Sequence, residues 1–200
     1  MNLKGLSQPL VYRHFLIYKP YGYLSQLINN QDRRRNKKLL SELYDFPKGT
    51  MAVGRLDEKS EGLLILTTNG KLSTLIRTDK FEKEYFAQLD GDITEDAIVK
   101  LKEGLDIKQG DSAYLTKPAV VKKLSSEPAL PERVRKIRDS RHGPTSWISI
   151  TLREGKFRQV RKMTAAVGFP TLRLVRVRIG NTHLSEMQPG EVIEIDQINL

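Results

Sequence analysis

The sequence contains no cysteine among its 200 residues. That absence excludes disulfides, thiolate zinc sites and Fe–S clusters, and it fits a reducing compartment. Its three histidines, His14, His142 and His183, are scattered without metal-ligand spacing, so packing and surface roles are their ordinary reading. There is no long apolar run. The N-terminal stretch MNLKGLSQPLVYRHFLIYKP meets Arg13 and Lys19 too soon for a signal peptide or a membrane span, so a cytoplasmic location is expected. Walker loop, GxGxxG fingerprint, internal repeat and low-complexity tract are all missing.

Positive charge, by contrast, is plentiful. Lys and Arg number 34 against 24 Asp and Glu, a formal net charge of +10. Such a field concentrates polyanions such as RNA, DNA or anionic lipid, although a merely soluble basic protein has the same balance. With 38% hydrophobic and 29% charged residues the chain can bury an ordinary core, as one domain or two small lobes.

Residues 1–10 read as a loose leader. The pattern then predicts a strand over Val11–Tyr18, a rigid turn at Lys19-Pro20-Tyr21-Gly22, a polar basic loop over 26–38 and a short helix over Leu39–Tyr44. Met51–Leu56 and Leu63–Thr67 read as strands around the loop GRLDEKSEG, the second buried on both faces because it is continuously apolar. A helix follows over Lys71–Arg77, with Leu72, Leu75 and Ile76 at i, i+3 and i+4. A strand is expected at Lys83–Leu89, then a helix capped by Thr94, packed through Ala97, Ile98 and Leu101, and ended by Gly104. Strands are also expected near Leu105–Ile107, Ala119–Leu124, Trp147–Leu152, Leu172–Ile179 and Glu191–Ile195, with a helix over Phe157–Val167 and a mobile basic loop over Pro131–Pro144. The sum is an α+β chain with mostly antiparallel pairing.

Two stretches carry candidate chemistry. In Gly54-Arg55-Leu56-Asp57-Glu58-Lys59-Ser60-Glu61-Gly62, an acid flanked by glycines and bases sits between core strands. Asp57 can neutralise Arg55, cap a turn, or act on a substrate; pattern alone leaves these open. In Arg153-Glu154-Gly155-Lys156-Phe157-Arg158-Gln159-Val160-Arg161-Lys162-Met163, a helix would bring Arg158, Arg161 and Lys162 onto one face, opposite Val160, Met163 and Val167. That face is either a solvated one or a phosphate site at the helix start.

GRLDEKSEGLLILTTNGKL closely resembles the catalytic motif of the small-ribosomal-subunit-type branch of pseudouridine synthases, and EGKFRQVRKMTAAVGFPTLRLVRVRIG resembles its C-terminal motif. Lys19-Pro20-Tyr21-Gly22 is similar to the family's KPxG opening, and Lys83-Glu84-Tyr85 to its KxY strand, so the similarity spans roughly residues 14–195. Within the branch, PTSWISITLREGKFRQVRKMTAAVGFPTLRL is most like members that modify bacterial 23S rRNA. Many branch members carry an S4-type RNA-binding module ahead of KPxG, whereas 18 residues precede Lys19 here. A single catalytic domain over residues 11–200, without that module, is therefore expected.

The resemblance implies the pseudouridine synthase fold, with a mixed, mostly antiparallel sheet in two lobes around a central cleft. It implies isomerisation of uridine to pseudouridine in ribosomal RNA, free or in a pre-ribosomal particle, by a monomer that needs no metal and no organic cofactor. Asp57 takes the position of the essential carboxylate, which attacks the sugar or abstracts its 2′ proton. Tyr85 takes that of the tyrosine packed on the target base, and Arg161 that of the base paired with the carboxylate. Extrusion of the base from stacked RNA costs a few kcal/mol. Arg55 is a candidate occupant of the vacated stack, and Lys19 a lesser one. Lys156, Arg158, Gln159 and Lys162 are expected to contact RNA, as are the basic runs 33–38 and 133–141, with Arg133, Arg135, Lys136 and Arg138. A non-catalytic RNA-binding or ribosome-assembly protein is the rival reading. A metal-dependent nuclease is a third, and lacks a carboxylate cluster.

Overall fold

The computed structural model describes residues 11–28, 36–137 and 140–200. The leader 1–10, part of the first basic run and Arg138 lie outside the described residues.

Strand β1 (His14–Lys19) starts later than the pattern predicts, because Val11 and Tyr12 stay exposed. The short strands β2 (Tyr23–Leu24) and β3 (Lys38–Leu39) pair in parallel, and a 3-10 turn at Leu40–Glu42 stands where a short helix was expected. β4 (Met51–Ala52) is cut short of Leu56, since Gly54 turns the chain with φ +74°. All seven residues of β5 (Glu61–Thr67) are buried, as its apolar run requires.

Helix α1 (Gly70–Ile76) is capped by Asn69, whose side chain accepts from the Leu72 amide. Its buried side holds Ser73 and Ile76, while Leu75 faces solvent. β6 (Lys83–Asp90) leads to α2 (Glu95–Glu103), where Thr94 caps and Ala97, Ile98 and Leu101 pack as read from the spacing. A hairpin of β7 (Asp106–Gln109) and β8 (Ser112–Leu115) follows; β8 was not anticipated, its residues being nearly all exposed. β9 (Val120–Lys123), β10 (Thr145–Leu152), α3 (Gln159–Ala166), β11 (Thr171–Ile179), β12 (Thr182–His183) and β13 (Val192–Ile195) complete the chain.

One nine-stranded sheet organises these elements in the order β13–β1–β5–β11–β6–β10–β9, with β4 added to β5 and β12 to β11. Its pairings are antiparallel except at the centre, where β5 and β11 run parallel with Val175 opposite Glu61 and Arg176 opposite Gly62. Gly62 makes this approach feasible. A Cβ there would fall 2.3 Å from the Arg176 carbonyl oxygen, and the backbone sits at φ +101°. On one side of this seam, Ile98, Leu101, Ile148, Ile150 and Met163 form a core between the helices and β6, β10 and β9. On the other, β5 alternates between two cores, Leu63 and Ile65 packing with Tyr18 and Val175, and Leu64 and Leu66 with Phe15 and Ile17. The architecture is α+β in two lobes, and the loop before β5 emerges at their junction.

Candidate active site

Two loops meet at that junction. The turn after β1 cradles the loop that carries Asp57: the Gly22 amide donates to the Glu58 carbonyl at 2.8 Å, and Ser25 Oγ both accepts from the Leu56 amide and donates to the Leu56 carbonyl, each at 2.9 Å. Ser60 N donates back to the Asp57 carbonyl at 3.0 Å and closes a turn. The Asp57 backbone is thus fixed on both sides, while its side chain remains about one-fifth exposed.

Arg158 and Arg161 face that carboxylate. Arg158 Nη1 donates to Asp57 Oδ2 at 3.3 Å, and Arg161 Nε lies 3.8 Å from the same oxygen. Arg161 Nη2 also donates to the Lys59 carbonyl at 2.9 Å and to Ser60 Oγ at 3.3 Å, and Nη1 to the Thr171 carbonyl at 3.1 Å. Burial, reinforced by Arg158, pulls the Arg161 pKa below its ordinary value, and Asp57 acts against that shift. Arg158 is not on the helix with Arg161 and Lys162, as the spacing suggested. It is the residue before α3, held in the left-handed region at φ 54° and ψ 35°. That conformation is costly for a side-chain-bearing residue and concentrates at functional sites.

Tyr85 stands on β6 between Ile150 and Arg176 of the neighbouring strands, and packs against core residues of both lobes. It lines the same crevice as Asp57, Arg55, Glu154 and Arg158. Beside it, a cleft of about 480 Å³ opens between the Asp57 loop, Ser25 and Phe157. Burial alone would raise the Glu154 carboxyl, but hydrogen bonds from Tyr114, the Lys117 amide and Gln159 outweigh burial and hold it low. Glu154 therefore fastens the loop before α3 to β8.

Several expected RNA contacts need correction. Lys19 is fully buried; its Nζ donates to the carbonyls of Pro20 and Tyr23 at 2.9 and 2.7 Å and reaches that of Glu58 at 3.5 Å. It ties the two loops together and cannot reach a ligand from there. Burial pushes it down to about 7, against the pull of Glu61, Asp57 and Glu58. Gln159 is buried too, its amide spent on Glu154 and the Lys156 amide. Arg133 is only 10% exposed, 3.4 Å from Glu61 and 3.8 Å over the Tyr21 ring, so this part of the basic loop is docked rather than mobile. Arg55, Lys156, Arg135 and Lys136 are exposed, and Lys162 reaches Gln109 at 3.1 Å.

Ser25, Glu61, Arg173 and Tyr21 escaped sequence reading. Glu61, 2% exposed, takes both nitrogens of Arg173 at 3.2 and 3.3 Å in addition to Arg133. The broken alternation of β11 was the one available signal, since it turns Arg173 and Arg176 inward. Among the described residues no group of three His, Asp or Glu could hold a metal ion.

The RNA pseudouridylate synthase family matches residues 13–166. The chain belongs to that family. It is 42% identical over 197 residues to ribosomal large subunit pseudouridine synthase E of Vibrio vulnificus, covering 96% of this chain and 78% of that one. A protein of the same name from Xanthomonas campestris is 39% identical, over 88% of this chain and 91% of its own. Ribosomal large subunit pseudouridine synthase B of Bacillus subtilis is 30% identical, over 91% and 67%. A pseudouridylate synthase crystal structure superposes with a TM-score of 0.72 at 24% identity, covering 92% of this chain and 70% of that one, and so shares the fold. As a family member the chain is an RNA-modifying enzyme that isomerises uridine, which disfavours a purely structural RNA-binding role.

Proposed function

We propose that this enzyme converts a uridine of ribosomal RNA, in the 23S RNA of the large subunit, to pseudouridine in the cytoplasm. The substrate is taken from the names of the relatives above, at 39–42% identity. The observation that carries the catalytic part is the meeting of Asp57 with Arg158 and Arg161 in a crevice also lined by Tyr85.

In this reading the Asp57 carboxylate acts on the ribose, at C1′ or on the C2′ proton, while the C1′–N1 bond breaks. The uracil turns against the Tyr85 ring and rejoins through a C1′–C5 bond, and the C5 proton is lost as N1 gains one, with no oxidation or reduction. Arg161 keeps the carboxylate aimed, because its guanidinium holds Lys59 and Ser60 as well as facing Asp57. Arg55, Lys156, Arg158, Lys162, Arg135 and Lys136 supply phosphate contacts.

Pseudouridine mapping of rRNA from cells with the gene, without it, and with Asp57→Asn tests the proposal. One site present only with the intact gene is expected. Modification that survives Asp57→Asn overturns the role of Asp57, and an unchanged rRNA map overturns the substrate.

A further inference from the structure

Behind Tyr85 lies a second cavity, of about 220 Å³, that the Asp57 chemistry does not use. Arg55, Arg77, Lys83, Tyr85, Lys156 and Arg176 line it. One carboxylate, Glu154, reaches it, and that group is already committed to Tyr114, Gln159 and the Lys117 amide. Arg176 is 5% exposed, donates through Nε to the Leu63 carbonyl at 2.8 Å, and its buried Nη2 has no partner. Lys83, opposite, donates to the Thr78 carbonyl at 2.8 Å. Two inward cations sharing one cavity without a free carboxylate repel each other and lose hydration, a cost that a bound anion offsets. Lys83 registers it: burial first, then Arg176, pushes it down to about 8.

We infer that this cavity receives a backbone phosphate of the substrate RNA beside the extruded uridine, with the buried Arg176 and the half-buried Lys83 as its ligands and Arg77 at its mouth. The inference rests on the proposed RNA chemistry. The cavity shares Arg55, Tyr85, Gly155 and Lys156 with the Asp57 crevice, so a nucleotide seated there has its neighbouring phosphate within reach. Guanidinium and ammonium are the side chains suited to that group. Reading a phosphate on the far side of the tyrosine would fix how deep the nucleotide enters without reading its sequence.

The test uses a stem–loop RNA containing the mapped uridine, with a neutral methylphosphonate placed in turn at each of three phosphates on either side. In the wild type, one substitution should weaken binding about 10-fold, as loss of one charge-assisted contact does. With Lys83→Met the same substitution should have no further effect, and the slope of log K against log salt should fall by about 0.7–0.9. Arg77→Gln, an exposed change, repeats the test should Lys83→Met fail to fold. Equal losses at every phosphate in both proteins overturn the inference, and so does coupling to a uracil O4 substitution instead. If mapping finds no modified uridine, the functional proposal fails before this one is reached.

Discussion

Arg161 Nε lies 3.8 Å from Asp57 Oδ2 and has no hydrogen-bond partner, while the other two nitrogens of the same guanidinium bind the Lys59 and Thr171 carbonyls. The cation is anchored to the loop it serves and leaves one N–H beside the carboxylate. Arg161→Met should lower kcat by about 10²-fold or more with a smaller change in KM. Arg161→Lys should restore little, because an ammonium cannot hold three acceptors in one plane. Equal kcat in wild type and Arg161→Met would remove the pairing from the mechanism.

Lys19 predicts a pH dependence. Its folded pKa, about 7, lies below its unfolded value, so between those two the unfolded chain binds more protons. Stability should therefore rise with pH above 7, by up to about 1.4 kcal/mol per unit, and the full penalty of the buried charge applies below 7. Lys19→Met should lower that slope in urea titrations at pH 7, 8 and 9, most clearly between 7 and 8 because Lys83, pushed down to about 8, adds a rise of its own above that, and parallel curves for the two proteins would contradict it.

Gly62→Ala should be among the most damaging small substitutions. A Cβ at 2.3 Å from a backbone oxygen, on a residue at φ +101°, forces β5 from β11. A loss of about 3 kcal/mol or more is expected from the urea midpoint. Gly110, also at positive φ but with nothing near, should tolerate alanine better.

Glu61→Gln removes the charge that Arg173 and Arg133 share. Leaving two buried guanidinium groups uncompensated should cost about 3–5 kcal/mol. It should also undock the segment around Arg133, so trypsin should cut there faster than in the wild type. Unchanged cleavage would show that Tyr21 alone holds the loop.

The sequence made some of this legible and hid the rest for physical reasons. Helix α2 was readable because its cap, stripe and stop are all local, and β5 because the unbroken run Leu63-Leu64-Ile65-Leu66 declares its own burial. Asp57, Tyr85 and Arg161 were nominated by motifs, not by composition or periodicity. Hidden were features made by distant pairing. Ser25 looks like an ordinary polar residue and Lys19 like an RNA contact until the Asp57 loop, 31 or more positions later, is laid over them. Nothing local marks Glu61 as the partner of a residue 112 positions away, or Arg158 as left-handed. Basic residues read alike in sequence, yet some are solvated and others, like Lys19 and Arg133, are spent inside.

The parallel contact of β5 with β11 has one further consequence. Asp57 lies on the loop that leads into β5, and Arg161, on α3, donates to the Thr171 carbonyl where β11 begins, so acid and cation are each tied to one strand of the seam. Spreading the lobes there to admit a folded nucleic acid would separate the two charges. A seam that stays closed on the proposed substrate would leave that adaptation to the RNA, which would have to unstack and deliver its nucleotide.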